Sequence, residues 1–154
     1  MKIINCTKQD YNQIILNIEE FWGSDRTLYL HHPIFIFEFG NTAFMIKEKD
    51  NIIAYLFGFL SQTEPTAYVH LLGVKSDLRR QGLATKLYNH FINYAIDKGC
   101  KKLKALTSPK NKDSIAFHIS YGMKLLGESN ENGIPIIRDY SGPGRDNIIF
   151  EKIL

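Results

Sequence analysis

Apolar residues along this chain recur with two different periods, and the changes of period mark its elements. Residues 2–5 read as a short strand. Tyr11, Ile14, Ile15, Ile18, Phe21 and Trp22 then follow at three- and four-residue spacing, predicting a helix capped by Thr7 and ended by Gly23. Residues 24–40 are aromatic-rich, punctuated by Pro33 and Gly40, and show no regular period. Thr42–Lys47, Ile52–Leu60 and Ala67–Val74 read as three strands joined by short turns at Asp50-Asn51 and Gln62–Pro65, an antiparallel meander. The middle run is apolar at both parities, as a strand buried on both faces requires.

Helical spacing returns with Leu83, Leu87, Phe91 and Ala95 in one stripe and Ala84, Tyr88, Ile92 and Ile96 beside it; Gly99 stops that helix. Lys102–Thr107 is a further strand, and a shorter helix runs from about Asp113 to Tyr121 ahead of Gly122. Met123–Leu126 and Asn147–Ile153 close the pattern as strands, flanking a Gly/Pro-rich loop at Ser141–Gly144. The order predicts one α/β (α+β) domain over residues 1–154, with a mixed central sheet flanked by helices.

Composition narrows the field. The 154 residues are 44% hydrophobic and 23% charged, the balance of a folded domain. A net charge of +3 is small for a dedicated nucleic-acid binder, so no nucleic-acid partner is expected. The charge is grouped, however. Lys101, Lys102, Lys104, Lys110 and Lys112 form one set and Lys75, Arg79, Arg80 and Lys86 another, which either solvate two surfaces or flank a small polyanion. Cys6 and Cys100 are too few for a disulfide framework and suit a reducing compartment. With no signal-peptide core and no apolar run near the roughly 20 residues that span a bilayer, the expectation is a cytoplasmic protein without membrane contact. His31-His32-Pro33 has no third ligand at metal spacing, so no metal is expected.

The chemistry concentrates at one junction, Leu72-Gly73-Val74-Lys75-Ser76-Asp77-Leu78-Arg79-Arg80-Gln81-Gly82-Leu83-Ala84-Thr85. A strand ends, a polar turn follows, and a long helix begins in a basic stretch of small residues. The first turn of a helix leaves backbone N–H groups without partners at the positive end of its dipole, and phosphate oxygens fit that place. Basic residues there oppose the dipole unless an anion compensates. Neither G-x-x-x-x-G-K-[ST] nor G-x-G-x-x-G is present, so this is not a P-loop or a Rossmann turn.

Arg79-Arg80-Gln81-Gly82-Leu83-Ala84 resembles the Arg/Gln-x-x-Gly-x-Gly/Ala fingerprint of the GNAT acetyltransferase superfamily. The stretch from Asn111 through Ser114, Phe117, His118 and Gly122 to Met123 resembles that family's second cofactor segment. Element order is similar over essentially the whole chain. The resemblance implies a sheet of about six to seven strands, with acyl-CoA held where strands 4 and 5 splay, and acetyl-CoA as co-substrate. The acceptor would be a primary amine of a small molecule, amino acid or peptide, and a homodimer is common among resembling proteins. Backbone N–H groups of Gln81 through Thr85 would hold the pyrophosphate, assisted by Arg79 and Arg80. Leu72, Gly73 and Val74 would pair with the pantetheine arm, Gly73 tolerating a bulge, and Asn111 and Ser114 would reach the cofactor. Three positions depart from the family pattern: Ser114 stands for alanine, Met123 for phenylalanine, and His118 for the tyrosine that protonates the leaving thiolate.

Three side chains are candidates for proton transfer. His118 either donates to the leaving sulfur or packs beneath the cofactor; a position near a helix start would hold it neutral. Tyr121, one turn on, is a substitute donor. His70, read as sharing one side of its strand with Tyr68, Leu72 and Val74, is either the base for the amine or a buried structural histidine. Glu38, Asp139, Tyr140 and the loop 139–146 are candidates for the acceptor wall. If the His118 departure removes catalysis, the alternative is a non-catalytic acyl-CoA-binding or sensing module.

Overall fold

The computed structural model describes residues 1–154. Its elements are β1 (Ile3–Asn5), α1 (Lys8–Leu16), α2 (Ile18–Trp22), α3 (Ile34–Phe37), β2 (Ala43–Glu48), β3 (Asn51–Leu60), β4 (Thr66–Val74), α4 (Leu83–Asp97), β5 (Lys102–Thr107), α5 (Lys112–Ser120), β6 (Lys124–Leu126), β7 (Glu128–Ser129), β8 (Pro135–Ile136) and β9 (Ile148–Ile153). Seven of the strands form one sheet in the order β1-β2-β3-β4-β5-β9-β6, and β7 and β8 pair separately. The meander β2-β3-β4 is antiparallel, as its short turns require, and the β4–β5 pair alone is parallel.

The sheet buries both faces. Leu83, Leu87, Phe91 and Ala95, the predicted stripe of α4, pack on Phe44, Val69, Leu103 and Phe150. Tyr11, Ile14, Phe21 and Phe35 from the N-terminal segment cover Met45, Tyr55, Phe57 and Leu71 on the other side. Strand β3 feeds both clusters, Leu56 one and Tyr55 and Phe57 the other, which explains its unbroken apolar run.

The N-terminal helix begins as expected. Thr7 and Asp10 form a reciprocal capping box, Asp10 N–H donating to Thr7 Oγ1 at 3.1 Å and Thr7 N–H to Asp10 Oδ2 at 3.0 Å. It does not continue to Gly23 as one helix. Asn17 leaves helical geometry (φ −113°, ψ 25°) and its Nδ2 donates back to the Gln13 carbonyl at 2.9 Å, so the stripe is cut into α1 and α2. The segment 24–40 contains the short α3, and the two-residue strands β7 and β8 carry no period that a sequence pattern could expose.

Two features of β4 set the geometry of its free edge. Its ladder to β3 runs Phe57↔Leu71 and then Gly58↔Val69, leaving His70 as the extra residue of a bulge. The bulge is therefore at His70, not at Gly73, which pairs regularly with Tyr55. Gly73 is small for another reason: a Cβ there would stand 2.7 Å from the Tyr55 ring. The bulge also shifts side-chain parity. Leu72 and Val74 pack with Val69 against the α4 cluster, while His70 stacks on Phe35 and contacts Tyr68 on the opposite face. The expectation that His70, Leu72 and Val74 share a side is thus overturned. The second feature is the splay: β4 and β5 pair only from Thr66↔Lys102 to Val69↔Ala105, and beyond that β5 follows β9 alone. The β5-facing edge of β4 is open from His70 to Val74.

Candidate functional site

A cleft of about 770 Å³ opens where β4 and β5 part, floored by Leu72 and Val74 and bounded by the start of α4, by α5 and by the end of α2. Of the residues singled out in the sequence, His70, Leu72, Val74, Arg79, Arg80, Gly82, Leu83, Ala84, Thr85, Asn111, Ser114 and His118 line it; Gly73, Gln81 and Tyr121 do not.

At the α4 end, seven consecutive backbone N–H groups, Arg79 through Thr85, donate to no protein acceptor, and no side chain caps the helix. The intrahelical ladder starts only at Lys86 N–H to Gly82 O, 2.9 Å. Arg80 (φ 64°) and Gly82 (φ 80°) both adopt left-handed backbone, which turns the chain sharply into the helix. For Arg80 that conformation costs about 1 kcal/mol. Gly82 has open space around a would-be Cβ, so its dihedral, not crowding within the protein, demands glycine. Arg79 is not free to the extent the fingerprint implied. Its Nη2 donates to the Phe21 carbonyl at 2.6 Å, Ser76 Oγ donates to the Glu20 carbonyl at 2.9 Å, and Lys75 pairs with Glu20 at 2.5 Å. The loop before α4 thereby straps the last turn of α2.

At the α5 end, Asn111 Oδ1 accepts from Ser114 N–H at 3.1 Å, so this side chain caps the helix while lining the cleft. His118 lies in the last turn of α5, not near its start, and helix polarity there would favour the charged ring. Burial decides the opposite: at 6% exposure, the ring is pushed down to about 4. Both nitrogens are engaged. Nδ1 stands 2.7 Å from the Ser114 carbonyl, which can only accept, so Nδ1 carries the proton. Nε2 therefore accepts from Tyr88 Oη at 2.7 Å. The ring stacks on Phe150 with centroids 4.1 Å apart. Neutral His118 has no spare proton to give. Tyr121, the substitute donor, instead gives its hydroxyl proton to Asn89 Oδ1 at 2.5 Å, outside the cleft.

His70, at the bulge, stacks on Phe35 (4.9 Å between centroids), and its Nδ1 lies 3.3 Å from Tyr68 Oη. Burial, reinforced by nearby His31, pushes it down to about 4, so the ring is neutral at ordinary pH, and Nε2 has no protein partner. Among the acceptor-wall candidates, Glu38 lines a separate hollow of about 420 Å³ beside Leu60 and Tyr94. Asp139 Oδ1 accepts from Gly144 N–H at 2.7 Å, closing its own loop, and Arg145 of that loop lies over the Tyr29 ring at 5.0 Å. His31 is committed to a buried network with Tyr55 and the Thr27 carbonyl. Sequence reasoning missed Phe21, Trp22 and Arg26, which line the cleft from the end of α2 and the turn beyond; the first two read as core stripe, and nothing flagged Arg26.

Comparison with known proteins supplies the relatives. Residues 9–123 match the acetyltransferase (GNAT) family. L-2,4-diaminobutyric acid acetyltransferase of Marinococcus halophilus is 25% identical over 99 residues, which cover 64% of this chain and 55% of that protein. The matched stretch thus spans about half the length of that curated relative. Ribosomal-protein-alanine N-acetyltransferase from Brucella melitensis superposes with a TM-score of 0.68 at 18% identity, covering 100% of both chains. An aminoglycoside 6′-N-acetyltransferase solved with coenzyme A superposes with a TM-score of 0.71 at 13% identity, over 99% of this chain and 97% of that one. These two likenesses are of fold.

Proposed function

This chain belongs to the acetyltransferase (GNAT) family, and from that premise we propose that it is an acyl-CoA-dependent N-acyltransferase that moves the acetyl group of acetyl-CoA to a primary amine by direct attack. The observation that carries this reading is the run of seven N–H groups from Arg79 to Thr85, without protein acceptors, in a segment of which every residue but Gln81 lines the cleft between β4 and β5. Such a run is a built anion cradle, and the pyrophosphate of CoA matches it in charge and size.

Acetyl-CoA supplies a thioester, an activated acyl group. The chain supplies the rest. The N–H groups of Gln81 through Thr85 hold the phosphates, with the Arg79 and Arg80 charges beside them. The open edge of β4 from His70 to Val74 pairs with the extended pantetheine as an added strand would, and strand-end N–H groups there polarise the carbonyl. The amine arrives deprotonated; His70 Nε2 accepts one of its N–H hydrogens and orients the lone pair. A ring held near 4 is too weak a base to do more. The amine nitrogen bonds to the acetyl carbon, the carbon–sulfur bond breaks, and the excess amine proton and the proton taken by the thiolate exchange through solvent. His118 and Tyr88 brace the floor of the site. A reducing cytoplasm suits the two unpaired cysteines.

The paired nitrogens of His118 also favour a second reading, an acyl-CoA-binding module without turnover. Free-thiol release from acetyl-CoA with a panel of amines decides: turnover supports transfer, whereas tight binding without thiol release selects the module.

A further inference from the structure

One cation of the cleft wall has no part in the cofactor cradle. Arg26 follows the turn at Gly23 (φ 74°) that ends α2. Its Nη1 donates back to the Trp22 carbonyl and, at 3.2 Å, to Ser24 Oγ. It forms no ion pair, and the Glu20 carboxylate of α2 is held by Lys75. Arg26 thus lines the cleft with guanidinium N–H groups to spare and no ion-pair partner.

The segment bearing Arg26 is anchored on both sides by one hydroxyl. Trp22 Nε1 donates to Tyr55 Oη at 2.7 Å. Tyr55 donates in turn to His31 Nε2 at 2.6 Å, and His31 Nδ1–H donates to the Thr27 carbonyl at 2.8 Å. The carbonyl can only accept, which fixes the tautomer and the direction of the whole chain. Tyr55 is fully buried, with its ring directly under Gly73 of the open β4 edge. Residues 22 and 27 are therefore referenced through Tyr55 to the strand that the thioester would lie along.

The charges on the wall are lopsided. Arg26, Arg79 and Arg80 are cationic, and the one carboxylate, Asp113, sits in the first turn of α5 rather than beside α2. An acceptor carrying a second cationic group would find no partner beside Trp22 and Arg26; one carrying a carboxylate would find a pre-ordered guanidinium. The geometry points to Arg26 as the residue that receives a carboxylate of the acceptor, and hence to small amino acids as the acceptor class, with Tyr55 as the positioning residue that holds Arg26. This rests on the N-acyltransferase reading above.

The test is thiol release measured on a panel of amino acids, each paired with the amine left when its carboxylate is removed. The wild-type enzyme is expected to favour the carboxylate-bearing member in kcat/KM by about 10–100-fold, the range of one or two charge-assisted hydrogen bonds. Arg26→Gln keeps an N–H for the Trp22 carbonyl but drops the charge, and should bring that ratio to within about threefold of unity. Tyr55→Phe should raise KM for the amino acid more than it lowers kcat, and shift the emission of Trp22, the one tryptophan of the chain. Equal or better use of the decarboxylated amines by the wild-type enzyme overturns the assignment while leaving the transferase reading intact. So does an Arg26→Gln enzyme with the ratio kept but a raised KM for acetyl-CoA, which would make Arg26 a phosphate ligand. Absence of thiol release with every amine, acetyl-CoA still binding, removes the transferase reading and this inference with it.

Discussion

The start of α4 and the last turn of α5 stand on either side of the same cleft and treat their polar groups in opposite ways. From Arg79 to Thr85 the backbone donors are left open and the dihedrals are costly. Around His118 every polar atom of the ring is paired, and the ring is stacked and buried. A fold keeps unpartnered donors where something outside the protein supplies the acceptors, and closes them where it needs rigidity. Family motifs cover both places alike. Hydrogen bonding separates them: the open donors carry the binding surface proposed above, whereas the ring of His118 is closed off as a brace.

The largest expected effect falls on the open side. Gly82→Glu puts a carboxylate at the cradle and a side chain on a left-handed residue. Acetyl-CoA affinity measured by calorimetry should fall by at least about 100-fold in protein that remains folded, combining repulsion of phosphate with backbone strain. Gly82→Ala retains only the strain, of about 1 kcal/mol, since nothing in the protein meets the added methyl group. Equal binding by wild type and the glutamate variant would remove the pyrophosphate assignment.

On the closed side the loss should appear as stability. His118→Ala deletes the stack on Phe150 and leaves the Tyr88 hydroxyl, buried at 0% exposure, without its acceptor. About 2–4 kcal/mol of stability should go, while turnover by the folded enzyme stays within about threefold of wild type. Turnover slowed by about 100-fold or more, the size of a lost general acid, with an unchanged melting temperature would restore His118 as a proton donor. It would also erase the contrast between the two ends of the cleft.

The histidines also fix how stability varies with pH. His118 and His70 are held near 4 in the folded protein against an ordinary 6.5. Between those values the unfolded chain binds more protons, so stability is complete above about pH 7 and drains away as pH falls from 6.5 toward 4. His118 alone accounts for up to about 3 kcal/mol of that loss. Melting curves should show it, with a shallower slope in His118→Gln. The same shift removes any acidic limb due to His70 from kcat/KM between about pH 5 and 7; the limb observed should follow the pKa of the acceptor amine. A limb near 6.5 that disappears in His70→Gln would show the ring titrating freely.

The antiparallel meander β2-β3-β4, the stripe of α4 and the helix start at Gly82 are legible because each rests on local pattern: short turns, a helical period, a basic stretch of small residues. The bulge at His70 is not, since one extra residue in a strand changes parity without changing composition; strand alternation puts His70 with Tyr68, Leu72 and Val74, and only Tyr68 shares its side. Nor is the fate of Arg79, whose partner lies 58 positions away at Phe21. The side of the cleft lined by Trp22 and Arg26, proposed above as the acceptor wall, escapes for the same reason: it is held by a hydrogen-bond chain through residues 22, 55, 31 and 27, and a linear pattern does not reveal which distant hydroxyl closes such a chain.

Arg79 offers the finest test, because it belongs to both kinds of region at once. It lies beside the open N–H groups, yet its guanidinium is partly spent on the Phe21 carbonyl at the end of α2, where unpaired carbonyls and the negative helix terminus welcome a cation. If backbone donors dominate phosphate binding, Arg79→Ala should weaken acetyl-CoA binding by only about 1 kcal/mol, roughly fivefold, since an exposed, salt-screened charge adds little to a cradle of fixed dipoles. The dependence of affinity on ionic strength should become less steep, because one cation has gone. Loss of the strap should at the same time loosen α2, which Trp22 emission would report, and raise KM for the amine through the wall that α2 provides. Calorimetry at two salt concentrations together with amine kinetics measures all three. A collapse of acetyl-CoA affinity comparable to that of Gly82→Glu would mean that the arginine side chain, not the uncapped helix start, holds the phosphates, and the division between an open backbone cradle and a closed side-chain brace would no longer describe this cleft.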